Sequence, residues 1–344
     1  MPFGIVAPDL GIDMGTCNFR LSIKGKGIVI YEPTLAVVRN DAKRQVVAVG
    51  EDARILLGRT PDDLLTIRPL SDGVIADFDM TEIMLRYFLR KAIGGPYLVK
   101  PRLVITVPCG LTAVERRAVD EAARLAGARS VHIVDQPFAA AIGTGLPVHE
   151  AVGSMLVDIG GGTTEAVLLS LNNIVVSRSV RVAGNKMDEA IVNYMKRTYN
   201  ILISDRAAED LKRDLGSALP PSENYASMVR GRDLVTGLPM TVEVLPQQIY
   251  DALQEPLTAV VNAIRWVLER TPPELAVDVS RTGIYLTGGS AQLPGIDKLI
   301  AMELGIPVMI AREPSDSVAL GIGYLAENIE LITRIGKGDP LLDD

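Results

Sequence analysis

The residues best suited to chemistry are concentrated in Val157-Asp158-Ile159-Gly160-Gly161-Gly162-Thr163-Thr164-Glu165. Glycines at a strand turn let backbone N–H groups close around a phosphate with no Cβ in the way, and threonine hydroxyls add donors. The aspartate at the strand end can hold a hydrated divalent cation beside those phosphates. A plain glycine-rich hairpin would carry the same residues, so one copy decides nothing. The scheme recurs in Leu10-Gly11-Ile12-Asp13-Met14-Gly15-Thr16-Cys17-Asn18, which is followed by the strand-like run Phe19-Arg20-Leu21-Ser22-Ile23. Two copies predict a duplicated domain whose phosphate-gripping hairpins face each other across a cleft. A third glycine element, Gly283 to Ala291 with Gly288, Gly289 and Ser290, reads as a strand running into a helix, whose N-terminal amides could sit under a nucleoside.

Elements that position these residues follow from periodicity. The runs Ser154–Val157 and Ala166–Leu169 flank the triple glycine as a hairpin. Leu103 to Pro108 reads as a buried strand, and Leu111 to Ala126 as a helix capped by Thr112. Val131–Val134 is the next strand and delivers Asp135-Gln136-Pro137 to the cleft. The small-residue helix from Phe138 suits a pivot between domains or simply a tightly packed core. Thr81 to Ile93 is expected as a helix capped by Thr81, and Ser227 to Val244 as a hairpin around Thr236-Gly237. Gln247 to Glu269 is expected as a long helix kinked or split at Pro256. Asp316 to Ile329 closes the chain as a second pivot helix. On a helix from Ser204 to Leu215, Glu209, Lys212 and Arg213 share a face, which by spacing alone suits a surface ion pair.

The 344 residues are enough for two domains with large cores, mostly aliphatic because 48% are apolar and only 4% aromatic. A mean hydropathy of +0.24 fits a chain that covers surface in a polymer or against lipid, or one with doubly buried parallel strands. The net charge of −7 argues against general nucleic-acid binding. Two cysteines, Cys17 and Cys109, give neither a disulfide framework nor zinc spacing, and a reducing cytoplasm is the expected compartment. No run reaches the ~20 apolar residues of a spanning helix, so a soluble or peripheral protein is expected. The tip Pro96-Tyr97-Leu98-Val99, flanked by Arg86, Arg90, Lys91, Lys100 and Arg102, suits insertion into an anionic bilayer or packing on its own domain.

Together the three glycine elements resemble the nucleotide signature of the actin-like ATPases. Within them the chain is similar to the MreB family of bacterial actin homologues, nearly end to end. The likeness includes Gly25-Lys26-Gly27-Ile28-Val29 with Glu32-Pro33, Ile67-Arg68-Pro69-Leu70, Asp72 to Asp77, Val114-Glu115-Arg116-Arg117, Met187-Asp188-Glu189 and Thr271-Pro272-Pro273-Glu274.

The resemblance implies an α/β actin-like ATPase fold, with two duplicated mixed-sheet domains around a nucleotide cleft and a smaller subdomain on each. The expected division is 1–31, 73–144 and 316–344 for the first phosphate-binding domain and 32–72 for its small subdomain. The second domain takes 145–182 and 241–315, and its small subdomain 183–240. ATP or ADP with Mg²⁺ is the implied ligand. The implied nucleotide-binding set is Asp13, Gly15, Thr16, Cys17, Asn18, Asp158, Gly160, Gly161, Gly162, Thr163, Thr164, Gly184, Glu209, Lys212, Arg213, Gly288, Gly289 and Ser290. Asp13 and Asp158 hold the metal through water. Gln136 and Thr163 orient the attacking water. Relatives carry glutamate at position 136, and an amide can position a water but not take its proton, so slow hydrolysis is expected. Asn185 and Cys17 also depart from the residues many relatives carry, aspartate and alanine. Further expectations are membrane contacts by Phe3, Leu98 and Val99, paired protofilaments of the chain itself, and wall-elongation partners on the inner face of the cell membrane. A small-molecule kinase of the superfamily needs an acceptor pocket with a base, and none stands out. A chaperone-type nucleotide module needs a following substrate domain, and the chain is expected to end at Asp344 without one.

Overall fold

Valine-, isoleucine- and leucine-rich runs closed by glycine or a polar turn give ten strands in two five-stranded sheets. We number them in chain order as β1 (Asp9–Met14), β2 (Asn18–Ile23), β3 (Gly27–Pro33), β4 (Arg102–Val107), β5 (Ser130–Asp135), β6 (Ser154–Ile159), β7 (Thr164–Ser170), β8 (Asn173–Val180), β9 (Ile284–Thr287) and β10 (Val308–Ile310). The computed structural model describes residues 8–58, 61–95, 99–222 and 225–335. The first sheet runs β5-β4-β1-β2-β3 and the second β8-β7-β6-β9-β10.

The two sheets repeat one wiring plan. In each, a central strand (β1 or β6) pairs antiparallel with the next strand and parallel with a later one. The third strand of each meander pairs antiparallel after a register shift, at Leu21/Ser22 in one sheet and Leu168/Leu169 in the other. The parallel partners require crossovers, which helices supply. Numbered in chain order among seven, helices α1 (Phe78–Ile93) and α2 (Ala113–Ala126) serve the first sheet and α4 (Gly184–Tyr199), α5 (Asp205–Leu215) and α6 (Pro246–Leu268) the second, while α3 (Gln136–Gly143) joins the two sheets and α7 (Ser317–Glu327) follows β10. A three-stranded sheet over residues 36–67 follows β3, and a second, over residues 201–244, follows α4.

Each large sheet has its own apolar core, and a third core lies between them. The first centres on Phe19, Phe88, Leu85 and Ile105, the second on Val157, Leu168, Ile191 and Ile264. The seam between joins Val104 and Val134 of the first sheet to Leu156, Val167 and Leu169 of the second through Ala139–Ala141 and Ile322. There α3 and α7 cross with almost no side chain between them. A Cβ at Gly321 would fall on the Ala139 carbonyl, and one at Gly143 on the Ser317 carbonyl. The small residues of α3 thus do build a helix contact at the junction of the two sheets.

Several local expectations change. Helix α1 begins at Phe78, capped by Asp77, whose carboxylate accepts from the Met80 N–H at 3.1 Å; Thr81 instead bonds the Asp77 carbonyl at 2.7 Å inside the helix. A carboxylate one turn earlier satisfies the free N–H groups and suits the helix dipole. Helix α6 runs unbroken through Pro256, because the buried face on either side outweighs one lost backbone hydrogen bond. The terminal helix ends at Glu327, and Ile329–Ile335 forms a separate helix. The third glycine element enters a short 3₁₀ turn, Gly289–Gln292, before the helix Ile296–Leu304. Thr112 and Ser204 cap their helices as expected.

Candidate functional site

Asp13 and Asp158 stand near the ends of the two central strands, at equivalent positions. Asp13 lies beside Thr106 in the β1–β4 register, and Asp158 beside Thr287 in the β6–β9 register. Each threonine donates its hydroxyl to its aspartate, at 3.3 Å and 3.1 Å. These two threonines escaped the sequence reading, although Thr287 closes its apolar strand directly before Gly288 and Thr106 is the penultimate residue of its own, two before Pro108. Both aspartates are buried.

The glycine turns meet face to face. A Cβ at Gly162 would lie 2.5 Å from Thr16 Oγ1, and one at Gly161 3.2 Å from Cys17 Cβ. Cys17 donates its thiol to Asn185 Oδ1 at 3.2 Å, from one hairpin turn to the start of α4. Burial pushes the Cys17 thiol pKa up, so it behaves as a neutral donor. Around the second turn, the Gly160 carbonyl accepts from the Gly184 N–H (3.1 Å) and the Ser290 hydroxyl (2.7 Å), and the Gly161 carbonyl accepts from the Asn185 N–H (2.8 Å). The Thr164 hydroxyl donates to the Val182 carbonyl at 2.6 Å. Gly288 has φ 87°, and a Cβ there would lie 2.6 Å from Asp158 Oδ1, so glycine is required on both counts. Gly289 and Ser290 follow it into the 3₁₀ turn. Around the first turn, the Gly15 carbonyl accepts from Thr34 (2.7 Å), Asn18 opens β2, and Thr16 Oγ1 accepts from the Gly73 N–H (3.0 Å).

Gln136 opens α3, is buried, and donates Nε2 to Asp13 Oδ1 at 3.4 Å. Asp135 turns away to pair with Arg116, as strand alternation requires. Thr163 lines a cavity of about 280 Å³ with Asp72, Pro108, Ser179 and Arg181. A larger one, about 340 Å³, lies apart from the turns, between α4 and α6. On α5 the predicted trio divides. Arg213 pairs with Glu209 at 2.6 Å on the surface, whereas Lys212 turns inward to Asp188 (2.7 Å) and the Gly184 carbonyl (3.0 Å).

The electrostatics favour a cation beside the two carboxylates. Burial, with the nearby Asp13 charge, raises the Asp158 carboxyl to about 6. Burial also raises Asp13, opposed by the Arg20 guanidinium. Among the described residues no three His, Cys, Asp or Glu side chains form a metal cage. Two oxygen ligands short of a cage suit Mg²⁺, which keeps several waters and takes the rest of its shell from substrate phosphates.

Of the residues expected at lipid, Phe3 and Leu98 lie outside the described residues, while Val99 is 37% exposed. No described helix is long and apolar enough to cross a membrane.

Comparison with known proteins gives concordant matches. The family model described as MreB/Mbl protein matches residues 7–334. MreB of Escherichia coli (strain K12), a cell shape-determining protein, is 48% identical over 332 residues, covering 95% of this chain and 96% of that one. The crystal structure of MreB5 of Spiroplasma citri bound to ADP superposes with a TM-score of 0.89 at 33% identity, covering 94% of this chain and 99% of that one. Its AMPPNP-bound form gives 0.89 at 32%, with 97% and 100% covered. The actin-like fold expected from the sequence is therefore the one observed.

Proposed function

This chain belongs to the MreB/Mbl family, and from that premise we propose that it is a cytoskeletal ATPase whose filaments organise wall elongation and cell shape. One observation carries the reading: two Asp–Thr pairs at equivalent register, each behind a glycine turn, with the turns in contact across the junction of the sheets. Such turns grip a triphosphate from both sides, so binding ties the lobes together and favours the polymerising arrangement. Nucleotide-bound MreB5 supports the choice of ligand.

In this reading the backbone N–H groups of residues 15–18 and 161–164 cradle the phosphates, and Asp13 and Asp158 would hold hydrated Mg²⁺. A bound Mg²⁺ would neutralise charge on the β- and γ-phosphates. Gln136 and Thr163 orient a water in line with the γ-phosphorus; its oxygen bonds to phosphorus as the bridge to the β-phosphate breaks. The amide takes no proton, so the proton leaves to solvent or phosphate and turnover is slow. Glu209, Lys212, Arg213 and the Gly288–Ser290 turn hold the nucleoside, and Gly184 stands at the γ-phosphate edge of the cleft. The first phosphate-binding domain takes 1–31, 73–144 and 316–344 with 32–72 as its small subdomain, and the second takes 145–182 and 241–315 with 183–240 as its small subdomain.

Sedimentation tests the core of the reading. Wild-type protein should pellet with ATP and Mg²⁺ and stay in solution without them. Gly162→Ala, which puts a methyl against Thr16, should bind ATP at least about tenfold more weakly and fail to pellet. Pelleting that ignores nucleotide, or an alanine variant equal to wild type, would remove the proposal.

We assign membrane attachment to the loop after α1, whose end carries Arg90 and Lys91 and whose Val99 is exposed. Replacing Leu98 and Val99 by serine should reduce co-sedimentation with anionic liposomes severalfold. Unchanged binding would discard this assignment.

A further inference from the structure

Arg20 occupies the cross-strand position opposite Asp13 in the first hairpin. Its Nη1 donates to Asp13 Oδ2 at 2.9 Å, and the two side chains are only 9% and 4% exposed. Arg20 Nε, buried and without a hydrogen-bond partner, lies 3.3 Å from Asp316 Oδ1 just ahead of α7. The guanidinium stacks over Tyr31, 4.8 Å from the ring centre. In the second hairpin the equivalent position, opposite Asp158, holds Glu165. That glutamate is fully buried; it accepts from the Cys109 N–H at 2.6 Å and stands across the strand pair from Ser179. Equivalent sites in a doubled fold thus carry opposite charge types.

The energetics of a buried pair make this asymmetry informative. A buried ion pair gains little stability over apolar residues of the same shape, so its presence has to be explained by something other than core strength. Two aspartates facing a phosphate chain repel it strongly where water is scarce. Arginine never loses its proton, and its fork fixes a carboxylate in one orientation.

We propose that Arg20 is a resident cation of the cleft, which positions Asp13 and cancels its charge so that the first clamp receives a nucleoside diphosphate without depending on a divalent ion. The inference rests on the nucleotide-binding reading above. Through Asp316 the same side chain joins the first clamp to the helix that crosses α3.

Calorimetric titration with ADP, in excess Mg²⁺ and in EDTA, tests it on wild type, Arg20→Lys and Arg20→Gln. Glutamine keeps a donor for Asp13 but removes the charge. Wild type and the lysine variant should bind ADP in EDTA within about tenfold of their Mg²⁺ affinity. The glutamine variant should lose at least about tenfold more in EDTA than in Mg²⁺. Equal losses in both media would reduce Arg20 to a structural role and overturn the proposal, as would no loss at all. Should Arg20→Gln not fold, wild type still decides, because abolition of its ADP binding by EDTA overturns the proposal. Absence of ADP binding by wild type in Mg²⁺ would instead defeat the nucleotide reading itself.

Discussion

Gly321→Ala should destabilise the protein by about 3 kcal/mol, a large share of a typical domain's margin. The added Cβ would fall on the Ala139 carbonyl and lie 2.9 Å from the Gly143 nitrogen, both backbone atoms of a helix that cannot turn aside. Alanine's better helix propensity returns about 1 kcal/mol, so the clash decides the sign. The two helices must separate, and the seam of Ala139–Ala141, Val318 and Ile322 loosens with them. Denaturant titration measures the effect, and a shift below about 0.5 kcal/mol would show that the crossing has slack. Since the same crossing joins the lobes, nucleotide affinity should fall in parallel.

For Gln136→Glu the expected change is in rate: phosphate release faster by on the order of a hundredfold, the usual worth of a positioned general base. Gln136 already reaches the site, with its amide 3.4 Å from Asp13 Oδ1 and its backbone fixed at the first turn of α3. A carboxylate there would be buried as Gln136 is, and burial would raise its pKa toward the working pH, where a base is most effective. Single-turnover phosphate release with saturating ATP isolates the chemical step. Equal rates would show that orientation alone sets the speed and that the amide is not the bottleneck.

How far the sequence was legible depended on whether a residue's partner was local. The glycine turns, the Thr112 and Ser204 caps and the strands around them are short-range patterns, and they stand where periodicity put them. Doubling was visible in the repeated Asp–Gly–Thr scheme, but its depth was not. That Thr106 matches Thr287, and Arg20 matches Glu165, depends on strand register between segments far apart in the chain. Helix α1 shows the opposite failure. Two capping residues lay within one turn, and the true start was set by the buried Met80 and Met84 face. At Pro256 the local rule for proline was outweighed by tertiary burial. On α5, spacing placed three polar residues on one face, yet only contact with Asp188 shows that Lys212 turns inward.

The place of α7 in the chain bears on how the protein is made. Its residues cover β1 and β2, with Gly11 against the Ile322 backbone and the Ser22 hydroxyl bonded to the Ala319 carbonyl, 297 positions later. A ribosome that has emitted the whole first sheet has therefore not yet supplied the helix that roofs it. Until that segment emerges, the apolar underside of the nascent lobe stays bare and open to wrong partners. Early folding of the first sheet is therefore provisional until Ser317–Glu327 has emerged.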